Sequence, residues 1–215
     1  MQQNLLDGLA NKTVTKTELL KKAIEDQNLI PALIDGTSSS KASIRYGCSS
    51  VLMELSSRQP EQLYQYWNKI VELLDSNYRI LIWNAMAVIA NLTWVDTEKK
   101  FEGIFDKYYS NLNSEYMVTV ANLVGNSATI GLAKPYLAPK IAAELLKVEN
   151  LSLTPHLTEE CKRVIAEHAI KTFDTIFDYL EDKEQVVNFV KRQLDSPRAS
   201  LKREAEKFNA KRKIA

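Results

Sequence analysis

With 215 residues and a formal charge of +1, the chain lacks the global field that draws nucleic acid or an anionic membrane. An apolar fraction of 45% with 26% charged residues suits an ordinary globular protein, and only 6 Gly and 6 Pro disfavour an all-β fold. Cys48 and Cys161, each at an apolar helix position, read as free thiols of a reducing compartment rather than a disulfide framework. The opening MQQNLLDGLANK has no basic-then-apolar leader pattern, and no apolar run approaches the ~20 residues that span a bilayer. A soluble, cytoplasmic protein with no membrane contact is expected.

Residues 1–14 carry a weak pattern and are expected to fray. Thr15 with Glu18 forms a capping box that opens a helix bearing Leu19, Leu20, Ala23 and Ile24. Pro31 should kink or end it, with Asp35-Gly36 as the stop and Thr37-Ser38-Ser39-Ser40 as a loop. Ile44, Cys48, Val51, Leu52 and Leu55 then fall at i, i+4, i+7, i+8 and i+11, one stripe of a 3.6-residue helix. Arg58-Gln59-Pro60 makes a turn, with Pro60 where a helix start tolerates it.

The central stretch Leu63 to Leu92 repeats the template twice. Leu63, Trp67, Ile70, Val71 and Leu74 form one stripe, and Leu81, Ala85, Val88, Ile89 and Leu92 the next, across the short turn Asp75-Ser76-Asn77. Two such helices should lie antiparallel, stripe against stripe. Thr97 is expected to cap a helix with Phe101, Phe105, Tyr108, Tyr109 and Leu112. Ser114 is expected to cap another with Met117, Ala121, Val124, Gly125 and Ala128. Lys134-Pro135 opens a helix with Leu137, Ile141, Leu145 and Val148, and Glu149 to Leu157 is the longest irregular connection. Thr158 caps a helix with Cys161, Ile165, His168, Ala169 and Thr172. Val186, Val190 and Leu194 mark the next, and Leu201, Ala205 and Phe208 the last.

Alternate helices start their templates at Ile44, Leu81, Met117, Cys161 and Leu201, spaced by 37, 36, 44 and 40 residues. A two-helix unit of about 40 residues is a solenoid signature, because each hairpin buries its stripe only against neighbours. Ile44-Arg45-Tyr46-Gly47-Cys48 and Leu201-Lys202-Arg203-Glu204-Ala205 resemble the first helix of a HEAT repeat: apolar, basic, two variable positions, then small. Asp75 and Asp195-Ser196-Pro197 resemble that family's inter-helix turn. Ile82 and Val118 stand where the pattern has a basic residue. The resemblance covers residues 40 to 210. It implies an all-α fold, a right-handed α-α superhelix (α-solenoid) of about five HEAT-like hairpins, with first helices convex and second helices lining a concave side. Residues 1–215 are expected to form a single domain, with 196–215 as a C-terminal capping helix.

His156, Cys161 and His168 are the only candidates for a transition-metal set, and they lack the paired spacing of a zinc site. No metal is expected. Neither a G-x-S-x-G, a G-x-x-x-x-G-K nor a G-x-G-x-x-G motif occurs, so neither catalysis nor a cofactor is expected. Aromatics and cations on the second helices are the candidate partner-binding residues: Tyr64, Tyr66, Lys69, Lys107 and Tyr109. Asn84, Asn91, Asn122 and Asn126 recur beside the first-helix stripes and read as structural. From Lys191 to Ala215, nine cations face Asp195, Glu204 and Glu206, a net +6 that leaves −5 for residues 1–190. That run reads as the solvated face of a capping repeat rather than a nucleic-acid contact.

The expected function is a non-catalytic scaffold or adaptor that binds a protein or peptide on its concave surface. The alternatives implied by the resemblance are a HEAT-like DNA-glycosylase-type or nucleic-acid-binding protein, which the acidic body disfavours, and a bilin-lyase-like protein, which no residue singles out.

Overall fold

The computed structural model describes residues 2–214, with side chains from residue 5 onward. Its α-helices are joined by short turns and single 3-10 turns, and among the described residues no strand forms beyond an isolated bridge between Thr154 and Leu157. The chain divides into two compact units, Met1–Gly103 and Ile104–Ala215.

The first unit opens with α1 (Gln2–Asn11), α2 (Lys16–Glu25), α3 (Leu29–Gly36) and α4 (Ala42–Arg58). Residues 2–11 are helical rather than frayed because Leu6 and Leu9 bury against α4, where Gly47 admits the Leu9 side chain. The Thr15–Glu18 capping box is complete, each side chain bonding the other's backbone N–H. Pro31 does not end that helix. It stops at Glu25, Asp26 bonds the Asn28 N–H, and Pro31 sits in the first turn of α3, where its missing N–H costs nothing. Gly36 ends α3 against Cys48: a Cβ there would lie 2.5 Å from the Cys48 Sγ, so only glycine permits the approach.

All five template residues of α4 are buried. The expected second helix is split into α5 (Pro60–Tyr64) and α6 (Trp67–Glu72), with a break at Gln65 and Tyr66. Tyr64 is anchored by its hydroxyl to Asp96 while Trp67 turns into the core. Across the turn, α7 (Arg79–Leu92) buries Leu81, Ala85, Val88, Ile89 and Leu92 as expected. Two polar steps tie α7 to α4: Asn84 donates to Ser49 at 2.8 Å and Asn91 to Ser56 at 2.9 Å. Each serine passes its own proton to a carbonyl one turn back, so both hydroxyls donate as well as accept.

The boundary between the units falls inside α8 (Lys100–Tyr109). Thr97 does not cap this helix. The buried Asp96 does, its two carboxylate oxygens accepting from the Lys100 and Phe101 N–H groups.

The second unit continues with α9 (Met117–Ala133), α10 (Ala138–Leu146), α11 (Glu159–Ile176), α12 (Glu184–Arg192) and α13 (Ala199–Arg212). Here the expected register of α9 is corrected. Its core face is Val120, Leu123, Val124, Ser127, Ile130 and Gly131, not the stripe beginning at Met117. Gly131 fixes that face, since a Cβ would lie 2.5 Å from Ile176 Cγ2 on α11. Ser114 bonds the Tyr116 N–H rather than capping the helix. On α11, Ile165, Ala169 and Thr172 are core as expected, joined by Phe173 and Ile176, while Cys161 and His168 are half-buried. Leu201, Ala205 and Phe208 of α13 are buried, with Lys202, Arg203, Glu206 and Lys207 outward.

Candidate functional site

The five expected binding residues are divided between the two units. Tyr64, Tyr66 and Lys69 belong to the first unit, Lys107 and Tyr109 to the second. Tyr64 is half-buried. Its hydroxyl donates to Asp96 Oδ1 at 2.6 Å, its ring packs on Trp67, and Lys100 Nζ lies 4.4 Å from the ring centroid. Burial and the Asp96 carboxylate both push the Tyr64 phenol above its ordinary range. Tyr66 is half-buried at the break between α5 and α6. Lys69 and Lys107 are exposed, and Lys69 lies 3.5 Å from Glu72. Tyr109 is core: it is 3% exposed, stacks on Phe105 at 4.4 Å, and donates its hydroxyl to Ser127 at 2.9 Å. Burial pushes its phenol well up.

What the spacing did not reveal is a second stripe on each of the two helices α7 and α9. Ile80, Trp83 and Ala87 face outward along α7, with Trp94 in the 3-10 turn that ends it, at i, i+3, i+7 and i+14, while Asn91 at i+11 turns its amide onto α4. Val118, Ala121, Gly125, Thr129 and Leu132 take the same spacing on α9. Neither stripe has a charge. Ile80 is 40%, Trp94 58%, Val118 43% and Leu132 38% exposed. The signal was present in the sequence, since α9 has no charged residue in 17 positions, but a helix without polar contrast hides which face is buried.

Each unit also has a groove. In the first unit, a groove of about 470 Å³ lies between the loop before α4 and the turn before α7, and Arg45, Lys69 and Tyr78 line it. Arg45 is only 6% exposed; its Nη1 donates to the Ser39 and Ser40 carbonyls at 2.7 and 3.2 Å, and its guanidinium lies 3.7 Å from the Tyr78 ring centroid. The basic residue of the HEAT-like pattern thus holds the loop in front of its own helix. In the second unit, a groove of about 750 Å³ has Tyr109, Leu112 and Leu157 at its floor and Asp106, Glu115 and Glu144 at its rim.

The basic C-terminal segment is tied down within the second unit. Arg192 grips Glu149 with two bonds of 2.8 and 2.7 Å, and Arg198 bonds Glu160 and faces Glu167 at 3.5 Å. Lys211 and Arg212 pair with Asp174, and Arg212 also with Asp178. Burial alone would raise the Glu167 carboxyl, but bonds from Lys171, Ser200 and Arg198 outweigh it and hold its pKa at about 2.

The remaining reactive side chains have local partners. His156 stacks on Tyr116 at 4.6 Å, the Cys161 Sγ accepts from the Thr158 hydroxyl, and burial lowers His168. Burial pushes the Cys48 thiol up to about 12, which keeps it neutral and unreactive. Among the described residues no three His, Cys, Asp or Glu side chains converge as a metal site, and no helix is long and apolar enough to cross a membrane.

No family model matches this chain, and no curated protein does. Among solved structures it is similar to a designed armadillo repeat protein, with 17% identity over 96% of this chain and 91% of the other and a TM-score of 0.53. An engineered protein aligns with 16% identity over 99% of this chain and 90% of its own, with a TM-score of 0.49. The first likeness, at an identity this low, establishes the fold: the chain is an all-α helical-repeat protein.

Proposed function

We propose that this helical-repeat protein is a non-catalytic scaffold or adaptor that docks a protein or peptide partner. The observation that carries the reading is the pair of uncharged outward stripes on α7 and α9. Exposed apolar side chains scattered singly are ordinary, but a row at one helical spacing, with Trp94 58% exposed, has the composition of an interface core. Tyr66, Lys69 and Lys107 remain accessible on the second helices. The finer HEAT assignment is supported by Ile44-Arg45 and Leu201-Lys202 and by the turns at Asp75 and Asp195; in that pattern α7 and α9 are first helices, so the stripes favour docking on the convex side rather than the expected concave one. A nucleic-acid reading loses support because Arg192, Arg198, Lys211 and Arg212 spend their charge on neighbouring carboxylates.

The test is capture of partners from lysate by the wild type and by a Trp94→Ala, Val118→Asp variant in parallel. Partners held by the wild type and lost by the variant, with an unchanged helical spectrum, support the reading. Equal recovery by both removes the stripes from it, and turnover of a small substrate by the purified protein would overturn the non-catalytic assignment.

A further inference from the structure

The groove of the first unit holds a buried cation with no counter-charge. Arg45 is more than nine-tenths buried and lines the groove, yet its hydrogen-bond partners are all neutral: two loop carbonyls and, at 3.4 Å, the Tyr46 hydroxyl. Its enclosed Nε–H has no acceptor. Both Nη1 bonds are taken, so the Nε–Nη2 edge, the edge that binds oxyanions in bidentate fashion, is the side of the guanidinium that lacks a charged acceptor, and its Nε is covered until the neighbouring ring moves. Leaving a buried charge uncompensated is costly, and an anion at that edge would remove the cost.

The rest of the groove supplies donors. Ser39 and Ser76 each accept a backbone N–H through the side-chain oxygen, from Lys41 and Tyr78, which leaves their hydroxyl protons to give. Ser38 and Ser40 contribute two more hydroxyls, and Lys69 an ammonium. Leu81, in the first turn of the 14-residue α7, also lines the groove, and no side chain caps that helix. Against these stand three acids. Glu72 lies beside Lys69, Asp75 is likewise engaged, and Asp35 has no cation partner.

We propose that this groove binds a phosphoryl group, through the Nε–Nη2 edge of Arg45 and the hydroxyls of Ser39, Ser40 and Ser76. A phosphomonoester offers three strongly accepting oxygens, which suits so many convergent donors better than the two oxygens of a carboxylate. The volume of about 470 Å³ lies in the range of pockets that hold small organic ligands, so there is room for the group that carries the phosphate. The half-exposed Tyr78 ring must shift off the guanidinium to admit it. Asp35 repels the ligand and sets a ceiling on affinity.

The experiment titrates inorganic phosphate and O-phosphoserine into the protein at fixed ionic strength, with acetate as control, and follows amide and Arg45 Nε–H resonances. The expected result is a saturable shift confined to residues 38–41, Arg45 and residues 76–78, absent with acetate. Arg45→Met should abolish it, and Asp35→Asn should tighten it at least threefold. If Arg45→Met fails to fold, the Ser39→Ala, Ser40→Ala variant replaces it and should weaken binding at least threefold. O-phosphoserine binding tenfold tighter than phosphate identifies a phosphorylated protein as the source, and equal binding identifies free phosphate. Shifts scattered elsewhere, equal shifts with acetate, or an Asp35→Asn variant that binds no tighter would each overturn the assignment.

Discussion

Two helices of the second unit, α9 and α13, solve the same packing problem with opposite outer surfaces. Each buries a stripe of small and large apolar residues, Val120 to Gly131 in one and Leu201, Ala205 and Phe208 in the other. Outward, α9 shows Val118, Ala121, Gly125, Thr129 and Leu132, whereas α13 shows Lys202, Arg203, Glu206 and Lys207. The inward stripe therefore makes the fold, and the outward stripe is free to make either a soluble cap or a docking surface. The same division separates the uncharged face of α7 from its buried Ala85.

The sharpest way to break this comparison is to remove the cap. Deleting residues 196–215 strips Leu201, Ala205 and Phe208, all 2% exposed or less, from the second unit and should leave a protein that aggregates. A truncated chain that stays monomeric and melts like the full one would make α13 an appendage. Next comes a pair of identical substitutions on α7. Ala85→Asp buries an unpaired carboxylate at a position 1% exposed and should cost about 3 kcal/mol or more. Ala87→Asp, on the outward stripe, should stay within about 1 kcal/mol. Comparable melting temperatures for the two would put the register of α7 in error.

Glycine sharpens the point within α9. At Gly131 a Cβ meets Ile176 Cγ2 at 2.5 Å, so Gly131→Ala should destabilise by about 1–3 kcal/mol. At Gly125 nothing lies within 4 Å, and Gly125→Ala should stabilise by about 0.5–1 kcal/mol through helix propensity. Denaturant titration of both variants reads the opposite signs directly. The smallest effect concerns Glu167, which ties α11 to α13 through Arg198 and Ser200. Its folded pKa of about 2 lies below the unfolded carboxylate value, so its contribution is present above that value and is lost as pH falls toward 2. Melting temperature should drop across that window in the wild type and less steeply in Glu167→Gln.

Local chemistry made much of the architecture legible. The α4 and α7 stripes stand out because serines, asparagines and charges flank them, and the caps at Thr15 and Thr158 need only neighbours three residues away. Where contrast or locality fails, so does the reading. The face of α9 is hidden because its seventeen residues are uncharged throughout, and Asp96 gives no local sign of capping α8 because the decisive bonds reach forward to Lys100 and Phe101. Tyr109 reads as a binding candidate from its own helix, but Ser127, 18 residues away, receives its hydroxyl. The groove around Arg45 joins a loop and a turn more than 30 residues apart, which no periodicity encodes.

The central claim is that the uncharged stripes, not the charged cap, meet the partner. The direct measurement is the dissociation constant of a captured partner for two variants of equal stability. Val118→Asp, Leu132→Asp should weaken binding tenfold or more, about 1.4 kcal/mol, while Lys202→Glu, Lys207→Glu should leave it within twofold. Loss of binding with the α13 variant and retention with the α9 variant would contradict the account.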